Sequence, residues 1–308
     1  MSKKMHSATG VLAAAGYALL RVLPVKMASD LMAVFIGRVA HHLVRERKIR
    51  ENLKTAFPDL DQSAVDTLTA EIISNFGRLL AEVAHIPTYV AGRQGTVVSA
   101  TGSLEHTFEK SGQAVYVTAH LGNWELIPIV LRRRSRPTII YTPVGNPLID
   151  DMLLAQRQKT GADYVEKSEA LRACIKAMNK GGSVGLLVDQ HVARGVNVTF
   201  FGKATMFTDL PVRLAMKFNC PVIPIEAVRA GPGHCQVMIH EPIWPGEDHG
   251  KQAIVDLTQQ VASVIEDAIR KRPGEWYCEK RRWKKSDRFH NVSEPQAARK
   301  DLLESGLA

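Results

Sequence analysis

The chain is poor in cysteine, in aromatic residues and in long apolar runs. Four of its 308 residues are cysteines, none in C-x-x-C spacing, so neither a zinc ribbon nor a disulfide scaffold is expected and a reducing compartment is the simpler interpretation. Aromatic residues make up 6% of the chain. The sequence also lacks G-x-G-x-x-G and Walker A motifs, so nothing supports a nucleotide cofactor. A hydrophobic share of 45% argues against wholesale disorder and against a multi-span membrane protein.

Positive charge is in excess and unevenly distributed. The formal net charge is +9 and the sequence pI is about 9.4. Residues 1–54 hold ten Lys or Arg against three Asp or Glu, and Arg270–Lys285 holds eight against two. This excess favours an anionic partner such as phospholipid, a phosphorylated substrate, nucleic acid or an acidic carrier protein. No RRM, helix-turn-helix or KH pattern accompanies the basic stretches, so we expect no nucleic-acid partner.

Two apolar segments lie within the basic N-terminal block, Ala8–Leu23 and Asp30–Val44. The first is shorter than the roughly 20 residues of a membrane span. The second has the apolar spacing of an amphipathic helix. Three interpretations stay open: a pair of core helices, a membrane anchor that spans or lies in the interface and faces the cytoplasm, and a cleaved signal peptide. The anchor is favoured, because flanking Lys and Arg attract anionic headgroups and no A-x-A-like cleavage site follows.

Helical patterns fill residues 45–95, and from about residue 97 short β-branched runs alternate with helical segments of 10–15 residues. The main predicted strands are 114–118, 138–142, 162–165, 184–188, 198–201, 222–228 and 236–240. Such alternation predicts an α/β fold with a largely parallel central sheet flanked by helices. We therefore divide the chain into a membrane-anchoring part (1–44), a helical segment packed on the body (45–95), an α/β domain (96–290) and a polar tail (291–308).

A candidate catalytic pair follows the first of these strands, in the sequence His120-Leu121-Gly122-Asn123-Trp124-Glu125. Ligands of α/β sheets collect beyond the carboxyl ends of the strands, where His120 stands. On a continuous helix, His120 and Glu125 would be about 140° apart at ~3.6 residues per turn. A turn at Gly122, with Asn123 capping a helix that begins near residue 127, would let the carboxylate fold back towards the imidazole. A His oriented by an acid acts as a general base, whereas a structural His at a strand end is the alternative.

Two competing chemistries are less well supported. Gly181-Gly182-Ser183-Val184-Gly185 fits the hydrolase pattern G-x-S-x-G, but here a helix precedes it and a strand follows, the reverse of a nucleophile elbow. A helix end and turn are expected instead. A zinc site from His120, Glu125 and His191 would use suitable ligand types, but it lacks the spacing of H-E-x-x-H, and we expect no metal.

The pattern H-L-G-N-W-E resembles the His-x4-Asp/Glu motif of the glycerolipid acyltransferase superfamily. More narrowly, the chain resembles the lipid A biosynthesis acyltransferases, the lauroyl and myristoyl "late" acyltransferases of Gram-negative inner membranes. Four further blocks in register carry this resemblance: Asn146-Pro147 with Arg157 and Gly161; Asp189-Gln190 with Phe200-Phe201-Gly202, Ala204 and Thr205; Pro221–Pro224; and Arg281–Lys284. Two departures, His191 after Asp189-Gln190 and the segment Glu275–Glu279, leave the acceptor and the acyl chain length open.

The resemblance implies roles for particular residues. His120 and Glu125 become the catalytic pair, and Arg157 a clamp on a phosphate or a developing negative charge. Asp189 is expected to orient either Arg157 or the acceptor. The other residues expected to contact substrate are Asn123, Gln190, Phe201 and Gly202, the last two either as lining of an acyl channel or as plain core and turn residues.

The function implied is transfer of a fatty acyl group from an acyl thioester to a hydroxyl of a phosphorylated lipid A precursor. The donor would be acyl–acyl-carrier protein or acyl-CoA as co-substrate, with no bound cofactor, at the cytoplasmic face of a bacterial inner membrane. Three rivals stay open. Another glycolipid or glycerolipid acyltransferase, including a phosphatidylinositol mannoside type, would share the chemistry; a lipid hydrolase would release free fatty acid; a non-catalytic membrane-binding protein would not need His120.

Overall fold

The computed structural model describes residues 3–39, 41, 44–102, 111–231 and 233–283. The predicted polar tail and Lys284 of the C-terminal signature lie outside these ranges. The N-terminal part is helical, as predicted. In chain order its described α-helices are α1 (Lys3–Val22), α2 (Val25–Val34), α3 (Glu46–Ala56), α4 (Gln62–Ala84) and α5 (Ile86–Ala91).

Local sequence explains where these helices begin and end. Pro24 stands at the N-cap of α2 and separates it from α1. Asp61 caps α4, its Oδ1 accepting a hydrogen bond of 2.7 Å from the backbone N–H of Ala64. The single amphipathic helix predicted over Asp30–Val44 is wrong in its bounds, because α2 begins earlier and passes into a π-helical turn at Phe35–Val39. One face of α2 packs along α4.

The other side of this N-terminal part is exposed and apolar. Its exposed large apolar side chains are Leu19, Val22, Met27, Leu31, Val34, Phe35 and Val39. Among the described residues, none of the helices combines the length and the hydropathy that crossing a bilayer requires.

The body is built on a seven-stranded sheet of order β1-β9-β8-β2-β5-β3-β4. Its strands are β1 (Val97–Thr101), β2 (Val115–Thr118), β3 (Thr138–Tyr141), β4 (Asp163–Glu166), β5 (Val184–Leu187), β8 (Val222–Gly231) and β9 (His234–Ile239). Every neighbouring pair is parallel except β8 and β9, which are antiparallel. The predicted α/β fold with a largely parallel sheet is confirmed.

Helices cover both faces of the sheet. The described helices of the body are α6 (Ile127–Leu131), α7 (Pro147–Arg157), α8 (Ala170–Met178), α9 (Leu210–Phe218) and α10 (Lys251–Lys271). Val115 and Val117 of β2 belong to one apolar core and Tyr116, between them, to the other, because side chains alternate along a strand. Gly181 and Gly182 lie in the turn between α8 and β5, as predicted.

Strands β6 (Val196–Phe200) and β7 (Lys203–Phe207) form a separate antiparallel hairpin. The sequence pattern predicted a strand near β6 and missed β7. The two-residue turn of the hairpin is Phe201-Gly202, and both residues have positive φ, +54° and +67°. Gly202 suits such a turn, whereas Phe201 adopts a backbone conformation that is uncommon for a residue with a side chain.

The order of the central strands decides what lies at the site. In the parallel pair of β2 and β5, Thr118 is in register with Leu187, and the backbone N–H of Val188 donates to the carbonyl of Thr118 at 2.9 Å. The residues that follow these strands, His120 and Asp189, therefore emerge side by side at one edge of the sheet.

Candidate active site

A tight turn after β2 presents His120. Gly122 has φ +60°, and a side chain there would collide with the backbone oxygen of Ala227, so the position requires glycine. The turn is held by a distant segment. The N–H of Gly122 donates to the carbonyl of Glu275 at 3.2 Å, and the N–H of Tyr277 donates to the carbonyl of His120 at 2.8 Å.

The carboxylate that contacts the imidazole is Asp189. Nδ1 of His120 lies 2.8 Å from Oδ1 of Asp189, and Nε1–H of Trp276 donates to Oδ2 at 2.9 Å. Burial alone would raise the pKa of this carboxyl group. The charge of His120 and the hydrogen bonds from His120 and Trp276 outweigh burial, and the pKa of Asp189 lies below its ordinary value. An ionised carboxylate only accepts, so Nδ1 carries a proton, and in the neutral imidazole Nε2 keeps its lone pair.

Nε2 of His120 points to Gln190. The side-chain Nε2 of Gln190 lies 3.2 Å from the ring nitrogen, and Nζ of Lys280 lies 3.3 Å from Oε1 of Gln190. Trp124 packs edge-on against the imidazole with ring centroids 5.0 Å apart. Gln190, predicted to contact substrate, thus lies beside the second ring nitrogen of His120, and both side chains line the same cavity.

Glu125 binds Arg157 instead of His120. The guanidinium donates from Nε to Oε2 at 2.9 Å and from Nη2 to Oε1 at 2.6 Å, a bidentate pair in which both side chains are largely buried. Burial lowers the pKa of an arginine, but the charge of Glu125 and its hydrogen bonds leave the pKa of Arg157 raised. The predicted direct contact between Glu125 and the imidazole is therefore wrong. Asp189 contacts the imidazole, and Arg157 binds Glu125.

The local backbone explains this correction. Residues Trp124–Leu126 form a 3-10 turn that leads directly into α6, and in this turn the carboxylate of Glu125 meets the guanidinium of Arg157. α7 ends at Arg157 and presents its guanidinium to Glu125. Asp189, expected to orient Arg157 or the acceptor, orients His120.

Asn123, Phe201 and Gly202 do not line the cavity that His120 faces. Asn123 makes no cap bond; it is buried, and its Nδ2 donates to Oε2 of Glu82 on α4 at 2.7 Å. Phe201 is core, stacked on Trp276 with ring centroids 5.9 Å apart. Gly202 is a hairpin turn residue. Phe201 and Gly202 are therefore plain core and turn residues rather than the lining of an acyl channel.

Glu82 in turn ties three parts of the chain together. Besides Asn123, it accepts hydrogen bonds from Oγ of Ser29 on α2 at 3.1 Å and from the guanidinium of Arg229 on β8. Sequence patterns gave no sign of this buried cluster, since its members come from segments far apart in the chain.

The cavity at this edge of the sheet has a volume of about 650 Å³, within the range of roughly 300–1,000 Å³ typical of small-molecule sites. Apolar and aromatic side chains make up much of its wall, including Phe76, Trp124, Leu186 and Leu210. Its charged lining residues are Arg45, Arg157, Lys167, Lys280, Glu125 and Glu279, and His120 also lines it. Within the described ranges, no three His, Cys, Asp or Glu side chains converge as a metal ion would need.

Fold and site together define an α/β enzyme in which a histidine–carboxylate pair faces a mainly apolar cavity. Comparison with known families gives the class its name. The model of the family described as bacterial lipid A biosynthesis acyltransferase matches residues 2–285, and the chain belongs to that family. It is an O-acyltransferase of the glycerolipid and lipid A acyltransferase superfamily.

Two further comparisons show what the chain is similar to. A phosphatidylinositol mannoside acyltransferase from Mycolicibacterium smegmatis is 22% identical over 285 residues, which cover 88% of this chain and 90% of the relative. Among solved structures, the 1-acyl-sn-glycerophosphate (LPA) acyltransferase PlsC from Thermotoga maritima aligns with 80% of this chain and 98% of its own, at 16% identity and a TM-score of 0.39.

Proposed function

We propose that His120 is the general base of an acyl transfer from a thioester to the hydroxyl of a lipid acceptor. Nε2 takes the hydroxyl proton while the oxygen attacks the thioester carbonyl carbon, forming the new C–O bond. The C–S bond then breaks, and the thiolate receives the proton from the imidazolium. The products are an ester and a free thiol. The observation that carries this proposal is the hydrogen bond from Nδ1–H to Asp189, which selects the neutral tautomer whose Nε2 can accept a proton.

Arg157 is the proposed electrostatic partner of the reaction. Its guanidinium lines the cavity and is fixed by Glu125, so it is oriented before substrate arrives. A fixed cation in a site shielded from water stabilises a developing oxyanion or a bound phosphate more strongly than a mobile one would. Glu125 acts in this scheme by positioning Arg157.

The proposed acceptor is a phosphorylated lipid A precursor, and the proposed donor is an acyl thioester of acyl carrier protein or of CoA. The cavity supports both assignments. Its apolar wall suits a fatty chain, and Arg45, Lys167 and Lys280 give its lining a positive balance that suits phosphate. The net charge of +9 would also steer an acidic carrier towards the enzyme.

We further propose that the enzyme works at the cytoplasmic face of the inner membrane. The exposed apolar side chains between Leu19 and Val39 are interspersed with Arg21, Lys26 and Arg38, a combination that suits an anionic bilayer surface. Co-sedimentation with vesicles containing phosphatidylglycerol tests this. The double variant Leu31→Glu with Phe35→Glu should lose binding, whereas Leu171→Glu, at an exposed apolar site on α8, should retain it.

A second candidate acceptor is a phosphatidylinositol mannoside. The relative from Mycolicibacterium smegmatis carries that activity in its name and matches almost the whole chain. The proposed chemistry at His120 is the same for either acceptor.

The deciding experiment offers purified enzyme a radiolabelled acyl donor together with one acceptor at a time. A lipid A precursor, a phosphatidylinositol mannoside, lysophosphatidic acid and water alone are compared, each with wild type and His120→Ala. We expect ester formation on the lipid A precursor and a loss of about 10²–10⁴-fold in kcat for the variant. Transfer to the mannoside alone would move the assignment to the second candidate. Free fatty acid without acceptor, or an unimpaired variant, would refute the proposed transfer.

A further inference from the structure

A second hydrogen-bond donor holds the carboxylate behind His120. Nε1–H of Trp276 donates to Oδ2 of Asp189 at 2.9 Å, while His120 occupies Oδ1. Each carboxylate oxygen therefore has its own donor, and rotation of the carboxylate would break both bonds. Trp276 is 1% exposed and is absent from the cavity lining, so it has no route to the substrate.

Backbone hydrogen bonds and ring stacking hold the segment around Trp276. Its neighbours Glu275 and Tyr277 bond to the backbone of Gly122 and His120, as described above. The indole is stacked on Phe201, the hairpin residue with positive φ. A continuous series of contacts thus connects the hairpin turn at Phe201, the indole of Trp276, the carboxylate of Asp189 and His120.

We infer that Trp276 is a positioning residue that orients Asp189 and limits how strongly Asp189 stabilises the imidazolium form of His120. The inference rests on the acyl transfer proposed above and deepens it. A carboxylate that already accepts one hydrogen bond attracts the imidazolium proton less strongly than one without that bond. Loss of the indole N–H should therefore have two effects: Asp189, which keeps its bonds to His120, is held less firmly, and His120 stays protonated up to a higher pH.

Trp276→Phe removes the donor and keeps an aromatic ring. We expect kcat to fall roughly tenfold, equivalent to about 1.4 kcal/mol, with KM for donor and acceptor unchanged. The acid limb of the pH profile of kcat/KM should move to higher pH. The other titratable groups around the pair, Cys278 beside Asp189, Lys280 beside Gln190 and Glu125 in the cavity, are unaltered by the substitution.

Trp283→Phe is the matched control. Trp283 is also buried, its ring centroid is 6.4 Å from that of Trp276, and its Nε1 has no hydrogen-bond partner in the described part of the chain. The Trp283→Phe variant should therefore lose a similar amount of packing, while the pH profile of its kcat/KM remains that of the wild type. A profile unmoved in Trp276→Phe, or moved equally in both variants, would overturn the inference.

A second variant that keeps the shape of the indole separates the loss of the N–H donor from any effect of misfolding. β-(3-Benzothienyl)alanine incorporated at position 276 replaces the N–H by sulfur and preserves the ring shape. The same shift of the acid limb is expected in this protein, and wild-type kinetics there would also overturn the inference. Wild-type enzyme inactive on every acyl donor would instead refute the proposed function, so the two failures are distinguishable.

Discussion

Nδ1 of His120 lies 2.8 Å from Oδ1 of Asp189, a residue 69 positions further along the chain. The two meet because β2 and β5 are adjacent parallel strands and each residue follows the carboxyl end of its strand. The contact fixes the imidazole tautomer, and with it the nitrogen that can accept a proton.

Replacing Asp189 by Asn should reverse that tautomer. The indole N–H of Trp276 would select the amide oxygen, which turns the amide nitrogen towards His120 and forces Nδ1 to accept. Nε2 would then carry the proton and could not act as a base. We expect kcat to fall on the order of 10²–10⁴-fold, measured by initial rates at saturating substrate. Asp163→Asn, at an exposed position, is the control and should retain wild-type kcat. A comparable kcat in both variants would contradict the assignment.

Acid should remove the stability that the Asp189 pair contributes. The folded protein lowers the pKa of Asp189, so the contribution is complete above the ordinary carboxyl pKa of about 3.9. It is lost as the pH falls through the lower pKa of the folded state. Urea unfolding between pH 5 and pH 3 should show the wild type losing free energy of unfolding faster than Asp189→Asn. Parallel pH dependences of the two proteins would exclude this linkage.

Glu125 and Arg157 should behave as one unit. Removing either partner of a buried ion pair leaves an uncompensated charge and costs on the order of 3–5 kcal/mol of stability. The single variants Glu125→Gln and Arg157→Met should each approach this cost, and the double variant should cost much less than their sum. Urea unfolding of the four proteins gives the coupling energy. The exposed pair Arg136–Asp163 is the control, with an expected coupling below about 1 kcal/mol. Strict additivity for Glu125 and Arg157 would show that they do not act together.

Glu82→Gln should loosen the contact between the N-terminal helices and the turn that contains Gly122 and Asn123. The substitution removes the counter-charge of buried Arg229 and weakens the bond to Asn123. We expect a loss of free energy of unfolding of several kcal/mol. Ser29→Ala, which deletes one neutral donor to the same carboxylate, should cost about 1 kcal/mol. Thermal and urea unfolding compare the two, and equal costs would mean that the charge of Glu82 does not matter.

Local pattern predicted several elements correctly, although it missed β7 and gave wrong bounds for the helix over Asp30–Val44. Apolar periodicity predicted the strand before His120 and the helical segment 45–95, which holds α4, and the sequence predicted a helix start near residue 127, where α6 begins. The predicted pairing of His120 with Glu125 failed because it assumed that partners near in sequence are near in space. The four residues between them form a turn and the start of a 3-10 segment, in which Glu125 binds Arg157 instead.

The amino-acid sequence by itself determined the alternation of strands and helices, the placement of His120 beyond a strand end and the excess of positive charge. Only the tertiary structure decided which carboxylate reaches the imidazole, that Arg157 neutralises Glu125, and that Trp276 lies behind Asp189. The physical reason is that periodicity and capping act over a few residues, whereas these contacts depend on the order of strands in the sheet and on a segment more than 80 residues from Asp189.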